Sequence, residues 1–190
     1  VQTNNSTNNR RNQIVTVDTY SGPYGFQKKI PLEITPKKHL GVINDNARRA
    51  LNTGQCHSLA YVISKETGWP ILGVGDADDS PNHCVVYHPG IDDYVDISGP
   101  GALKRGSHGE WAMEMIREFP LGELEAGLPL YLPMNVKAAT PFAKSLLNRI
   151  KKLPATVNTP IKKAWMNGNK AIKGYKDAAI MPEDEDTSWA

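Results

Sequence analysis

The sequence predicts an α+β fold: a helix that carries Cys56, packed on a small antiparallel sheet, with a polar arm before it and a helical C-terminal extension after it. Three observations lead there. "GQCHSLAYVISKETGWP", from Gly54 to Pro70, holds a helix-length segment with a wide apolar face ending in Gly and Pro. "HCVVYH" and "DYVDIS" are short β-rich runs separated by the turn "PGID", which reads as a hairpin. After Met134 the character changes to basic and helical. The expected organisation is an arm over 1–13, a central domain over 14–135 and a basic extension with an acidic tail over 136–190.

The elements follow in order. "VQTNNSTNNRRNQ" is polar, lacks periodicity and reads as disordered or a linker. "IVTVDTY" alternates like a strand, "SGPYG" breaks it, and "LEITPKKHLGV" holds a short extended piece ended by Pro36. "NDNARRALNTG" is a short helix capped by Asn44 or Asp45 and stopped by Gly54. The helix from about Gln55 to Thr67 takes Thr53 as N-cap and Gly68 as its C-terminal stop, so Cys56 falls in its first turn. "WPILGVG" is a short buried strand and "DADDSPN" an acidic loop. The hairpin is followed by the loop "GPGALKRGSHG", a short helix "EWAMEMIREF", and "LPLYLPM" as a strand or extended cover. "PFAKSLLNRIKKL" places Phe142, Leu146, Leu147, Ile150 and Leu153 on one helical face. A weaker basic helix and the tail "PEDEDTSWA" end the chain.

Composition narrows the class. The 190 residues are 39% hydrophobic, enough for one domain with a core and tails. Residues 1–136 carry 12 Lys/Arg against 15 Asp/Glu, whereas 137–190 carry 10 against 5. The two cysteines form no disulfide framework and point to a reducing compartment. No run of about 18 apolar residues and no signal h-region occur, so no membrane span is expected. The first residue is Val1, as in a processed or trimmed chain.

A nucleophilic thiol needs a lowered pKa, a base within reach and a group that orients the base. A helix N-terminus supplies the first through its free N–H groups and dipole, and the same N–H groups stabilise an oxyanion. Among His39, His57, His83, His88 and His108, His83 is best placed because it opens a strand, whereas His57 points to a different side of the helix from Cys56. Asp96 is the candidate orienting acid. If "PGID" is a four-residue loop, His88 faces Asp93 and the register places His83 and Asp96 diagonally on one face, about 7 Å apart at Cβ or somewhat less. Cys84, Val86, Val95 and Ile97 then fall on the other, apolar face, and a loop one residue shorter or longer breaks the agreement. Cys84 is read as core, facing away from His83. Asn52 or Gln55 supplies the side-chain oxyanion donor, with Gln55 favoured by closeness. Tyr87 and Tyr94 line a substrate groove or pack. Trp69 joins them as a candidate, or packs at the helix end. Zinc is disfavoured because His83 and Cys84 point to opposite faces and metal-ligand spacing is absent. "DADDSPN" lacks the Gly and Glu of a calcium loop. No cofactor or metal is expected.

The order of cysteine at a helix start, His on a later strand and Asp on the next resembles the papain-like and transglutaminase-like superfamily. More narrowly, Gly54 to Gly99 resembles small phage and mobile-element proteins. Their pattern is Gly-x-Cys-x-x-x-Ala, Thr-Gly-Trp-Pro, His-x-x-Val and Tyr-x-Asp-Ile-x-Gly, and it covers about a quarter of this chain. The resemblance implies a papain-like core and a cysteine hydrolase or acyl-transfer activity, with Cys56, His83 and Asp96 as its triad. It also implies a virion-associated or host-cytoplasmic protein. The chain departs from papain-like peptidases where their oxyanion Gln precedes the nucleophile: "RRALNTGQ" offers only Asn52 and Gln55.

The function expected is therefore a cysteine-dependent hydrolase, peptidase or amidase/deamidase in type, acting on an amide bond of a protein or peptide. The alternative is a non-catalytic phage or mobile-element protein that binds nucleic acid, or a virion or host partner, through the basic segment 137–176. The bland reading of that segment's first helix is an apolar stripe packed on the core.

Overall fold

In the computed structural model, residues 11–21, 26–75, 83–102, 115–127 and 132–151 are described. The polar arm up to residue 10, the acidic loop at 76–82, His108, the start of the segment read as a helix at 110–119, Leu153, the second basic helix and the acidic tail lie outside them.

Strands β1 (Gln13–Ser21) and β2 (Phe26–Ile34) pair antiparallel from Gln13↔Ile34 to Ser21↔Phe26. The strand expected at "IVTVDTY" is present. β2 begins well before the short extended piece expected around "LEIT". Alternation explains the pairing: Val17 and Thr19 on β1, with Ile30, Leu32 and Ile34 on β2, are buried.

Helix α1 (Asp45–Thr53) starts where Asn44 Oδ1 accepts from the Ala47 N–H, and ends where the Gly54 N–H donates to the Ala50 carbonyl. Helix α2 (Cys56–Thr67) follows after two residues and closes on Gly68, whose φ of 72° is left-handed. Thr53 does not cap α2. Its hydroxyl donates to the Arg49 carbonyl at 2.6 Å, and Gln55 occupies the N-cap position without a side-chain capping bond.

Among the described residues the second sheet has five strands in the order β6-β5-β4-β3-β7, all antiparallel. These are β3 (Ile71–Gly75), β4 (His83–His88), β5 (Asp93–Asp96), β6 (Gly99–Pro100) and β7 (Met115–Phe119). The β4–β5 hairpin has the register the four-residue loop predicts: Val86↔Val95, Tyr87↔Tyr94 and His88↔Asp93. Asp92 closes that loop with a left-handed φ of 52° and accepts a hydrogen bond from the Tyr87 hydroxyl at 2.5 Å.

Residues 115–119 form an edge strand, where a helix was expected across "EWAMEMIREF". Pairing with β3, which brings Phe119 opposite Ile71 and into the core, overrides the helical propensity of Met and Glu. A short helix α3 (Leu121–Ala126) follows and buries Leu124.

Helix α4 (Val136–Ile150) is capped by Asn135 and begins five residues earlier than the apolar stripe suggested. Ala138, Ala139, Phe142, Ala143, Leu146, Leu147 and Ile150 are buried in one cluster with Leu59, Ile63, Cys84, Val86, Val95 and Ile97. The boundary expected between residues 135 and 136 therefore runs through a shared core. The result is an α+β arrangement in which α2 is held between α4 and the core face of the second sheet. No helix among the described residues is long and apolar enough to cross a membrane.

Two glycines are fixed by close approach. A Cβ at Gly41 would overlap the Phe142 ring, and one at Gly54 would lie 2.6 Å from the Thr19 Cα. Gly54→Ala must push β1 away from the α1–α2 joint, because backbone cannot yield as a side-chain tip can. Its urea or thermal midpoint should fall by an amount equivalent to about 1–3 kcal/mol; an unchanged midpoint would show that β1 is not seated there.

Candidate active site

Cys56 is the first residue of α2, and its side chain is 2% exposed. The chain reaches it through Gly54, which lets β1 approach, and then Gln55. His83 opens β4 and Asp96 ends β5; they are 1% and 5% exposed.

His83 Nε2 lies 3.8 Å from Asp96 Oδ2, an ion-pair distance rather than a hydrogen bond. The other carboxylate oxygen of Asp96 accepts the Ser98 N–H at 2.7 Å. The tight turn at 97–98, closed by the Asp96↔Gly99 pair, thus fixes the carboxylate from its own backbone.

Electrostatics tie these groups to the sulfur. Hydrogen bonding to the Cys84 thiol is the largest influence holding the Cys56 thiol well below its usual range. Burial opposes it, and hydrogen bonds to His57 and His83 with the His83 charge reinforce it. For His83, burial is the largest single influence and pulls its pKa down. Asp96 and the Cys56 sulfur together outweigh it and raise the imidazole to about 9. Each partner stabilises the charged form of the other, so the pair favours thiolate and imidazolium at neutral pH.

The structure thus brings Cys56, His83 and Asp96 together and adds two neighbours that sequence reasoning set aside. Cys84 does face the core. That is the face α2 packs on, so it lies beside Cys56. His83 and Cys84 point to opposite sides of β4, yet both act on the Cys56 thiol, whose helix packs on that strand. The cue was available: a helix that covers the apolar side of a hairpin must set its own residues against the thiol on that side. His57 is buried, and its Nε2–H donates to the Leu132 carbonyl at 2.7 Å. It also contributes to lowering the Cys56 thiol. Cys84, His57 and His83 thus all act on the Cys56 thiol, but no group of three among the described residues could hold a metal ion.

Gln55, favoured as the side-chain oxyanion donor, has its amide already engaged within the fold. Nε2 donates to the Asp18 carbonyl at 3.1 Å and to the Pro133 carbonyl at 3.4 Å. Oε1 accepts from the Ser58 hydroxyl at 2.6 Å and from the Asn135 N–H at 3.2 Å. The residue ties β1, α2 and the start of α4 together. Asn52, in the last turn of α1, is less engaged. Its Nδ2 reaches Ser98 Oγ at 3.5 Å, the limit of a hydrogen bond, and its Oδ1 is buried without a hydrogen-bond partner.

Tyr87 and Tyr94 share the sheet face of His83, with ring centroids 5.4 Å apart, and both are buried. The Tyr87 hydroxyl is used by Asp92. Trp69 stacks on His88 at 3.8 Å between centroids. His88 ends the strand that His83 opens, roughly 17 Å away at about 3.4 Å per residue. The structure therefore places Trp69 at the far end of the hairpin, packed against the core and not beside the sulfur.

Compared with known proteins, the chain matches no family model, and no similar curated protein or solved structure was found.

Because Gln55 satisfies buried groups from three elements, Gln55→Ala should cost about 2–4 kcal/mol, whereas Asn52→Ala should cost under about 1 kcal/mol. Urea denaturation of the two variants checks this, and equal losses would contradict the assignment.

Proposed function

We propose that the chain is a cysteine-dependent hydrolase that cleaves an amide bond through Cys56, His83 and Asp96. The observation that carries this reading is the thiol at the start of α2, held toward its thiolate form beside an imidazole that has a carboxylate 3.8 Å from its far nitrogen. A helix followed by an antiparallel hairpin, with these residues in this order, also supports a papain-like core of the kind seen in the small phage and mobile-element proteins the sequence resembles.

The steps follow from the groups. With Nε2 turned to Asp96, Nδ1 is the ring nitrogen left for the sulfur. The Cys56 thiolate attacks the carbonyl carbon, and negative charge moves onto the carbonyl oxygen. The first-turn N–H groups of α2 receive that charge, joined by the Asn52 amide. His83 gives its proton to the leaving nitrogen, the C–N bond breaks, and an acyl thioester remains on Cys56. His83, now neutral, takes a proton from water as the water attacks the thioester. The C–S bond breaks, the carboxylic acid leaves and gives its proton to solvent, and the thiolate–imidazolium pair is restored. Asp96 holds the ring orientation and favours its charged form.

A non-catalytic, anion-binding reading rests on Lys137, Lys144, Arg149 and Lys151, which are exposed on or just past α4. The apolar stripe of that helix is occupied by the core, so only its charged side is open to a partner. Steep loss of nucleic-acid affinity with rising salt would favour that reading, and flat dependence would exclude it.

Two measurements test the hydrolase. Near pH 7, iodoacetamide should modify Cys56 at least about tenfold faster than Cys84; equal rates would remove the basis for a nucleophile. Profiling of synthetic or host proteins should then show cleavages or deamidations that disappear with Cys56→Ala. The pH profile has a sign fixed by His83. Its raised pKa keeps the imidazolium present below about pH 9, so activity should fall on an alkaline limb near that value. Asp96→Asn removes a group that raises His83, so the limb should move to lower pH by about 1 unit or more. A limb that stays in place would show that Asp96 does not act on His83.

A further inference from the structure

We propose that Cys56 and Cys84 are a peroxide-responsive pair that closes into a reversible intramolecular disulfide, with Cys84 as the resolving thiol. The site it would silence is that of the hydrolase reading above, so the regulatory consequence rests on that reading, whereas the disulfide itself does not.

The placement comes from the fold. Cys56 opens α2, and Cys84 is the second residue of β4, on the face over which α2 lies. Neither cysteine is in a disulfide among the described residues, and both are buried in the same cluster. The Cys84 thiol is close enough to hydrogen-bond the Cys56 sulfur. Directly across the strand pair, Cys84 faces Gly73, which puts no side chain beside it. The space next to Cys84 is therefore left to the end of α2. Helix and strand are separate elements joined by a long connection, so one can shift slightly against the other to reach bonding distance without rebuilding either.

The chemistry balances with hydrogen peroxide as oxidant. The Cys56 thiolate attacks one peroxide oxygen, the O–O bond breaks, and hydroxide leaves and takes up a proton to become water. Cys56 is then a sulfenic acid. The Cys84 sulfur attacks the Cys56 sulfur, the S–O bond breaks, and hydroxide leaves with the thiol proton as a second water. Two thiols lose two electrons and two protons in all, and the peroxide is reduced to water. A dithiol reductant reverses the bond by exchange. In the disulfide the nucleophile is sequestered, and it is protected from irreversible oxidation to the sulfinic acid.

The test uses the full chain, reduced and then treated with hydrogen peroxide near stoichiometry. It is denatured, alkylated and mapped by mass spectrometry. The expected result is a mass loss of about 2 Da and a linked peptide pair joining Cys56 to Cys84, both reversed by dithiothreitol. Cys84→Ser should instead leave a sulfenic acid on Cys56 that dimedone traps. The wild-type map decides the matter even if that variant fails to fold. Cys56 recovered as sulfinic acid with Cys84 still alkylatable, or disulfides only between chains, would overturn the proposal. Cys56-dependent amide cleavage without a linked peptide would overturn the switch and leave the hydrolase standing. A linked peptide in a chain with no such cleavage would uphold the disulfide and remove the hydrolase.

Discussion

The seat of α2 on the β4–β5 hairpin is the constraint from which the rest of the site follows. The helix buries Leu59, Ala60 and Ile63 in the cluster that holds Cys84, Val86, Val95 and Ile97. That burial is non-directional, but it fixes where the helix begins relative to the opening of β4. Once the first turn lies there, a thiol, two imidazoles and a carboxylate share surroundings nearly without solvent. Low polarizability then strengthens the charge pairing of Cys56 with His83 and raises the cost of leaving either partner alone.

Around that seat the polar groups divide their labour. Asp96 is positioned by its own turn and His83 by its place at a strand opening, so both depend on local backbone. Gln55 and His57 act the other way: one helical turn reaches out to Asp18 on β1 and to the Leu132–Asn135 segment that leads into α4. Ser145 adds a further tie, donating from α4 to the Gly41 carbonyl at 2.7 Å.

Much of the arrangement is legible in the sequence, because two of its signals are geometric. Strand parity is strict, so a four-residue turn at 89–92 was enough to align Tyr87 with Tyr94 and to put His83 on the side of Asp96. Gly68 and Asn44 mark helix ends through their own chemistry. What the sequence concealed depends on distant partners. The strand at 115–119 exists because β3 offers a free edge, which no local propensity records. Gln55 sits next to Cys56 in the chain, yet its amide is drawn off by carbonyls that are 37 and 78 residues away. Cys84 was assigned to the right face, but the helix that covers that face was not carried into the argument.

The ties made by Gln55 have a further bearing on how such a chain can vary. The segment bearing the cysteine, histidine and aspartate is not a portable cassette. Its first helical turn is bolted to a hairpin that precedes it and to a helix that follows it, and both lie outside the stretch with the recognisable motif. Grafting residues 54–99 alone onto another scaffold would transfer the reactive groups without the struts that aim them.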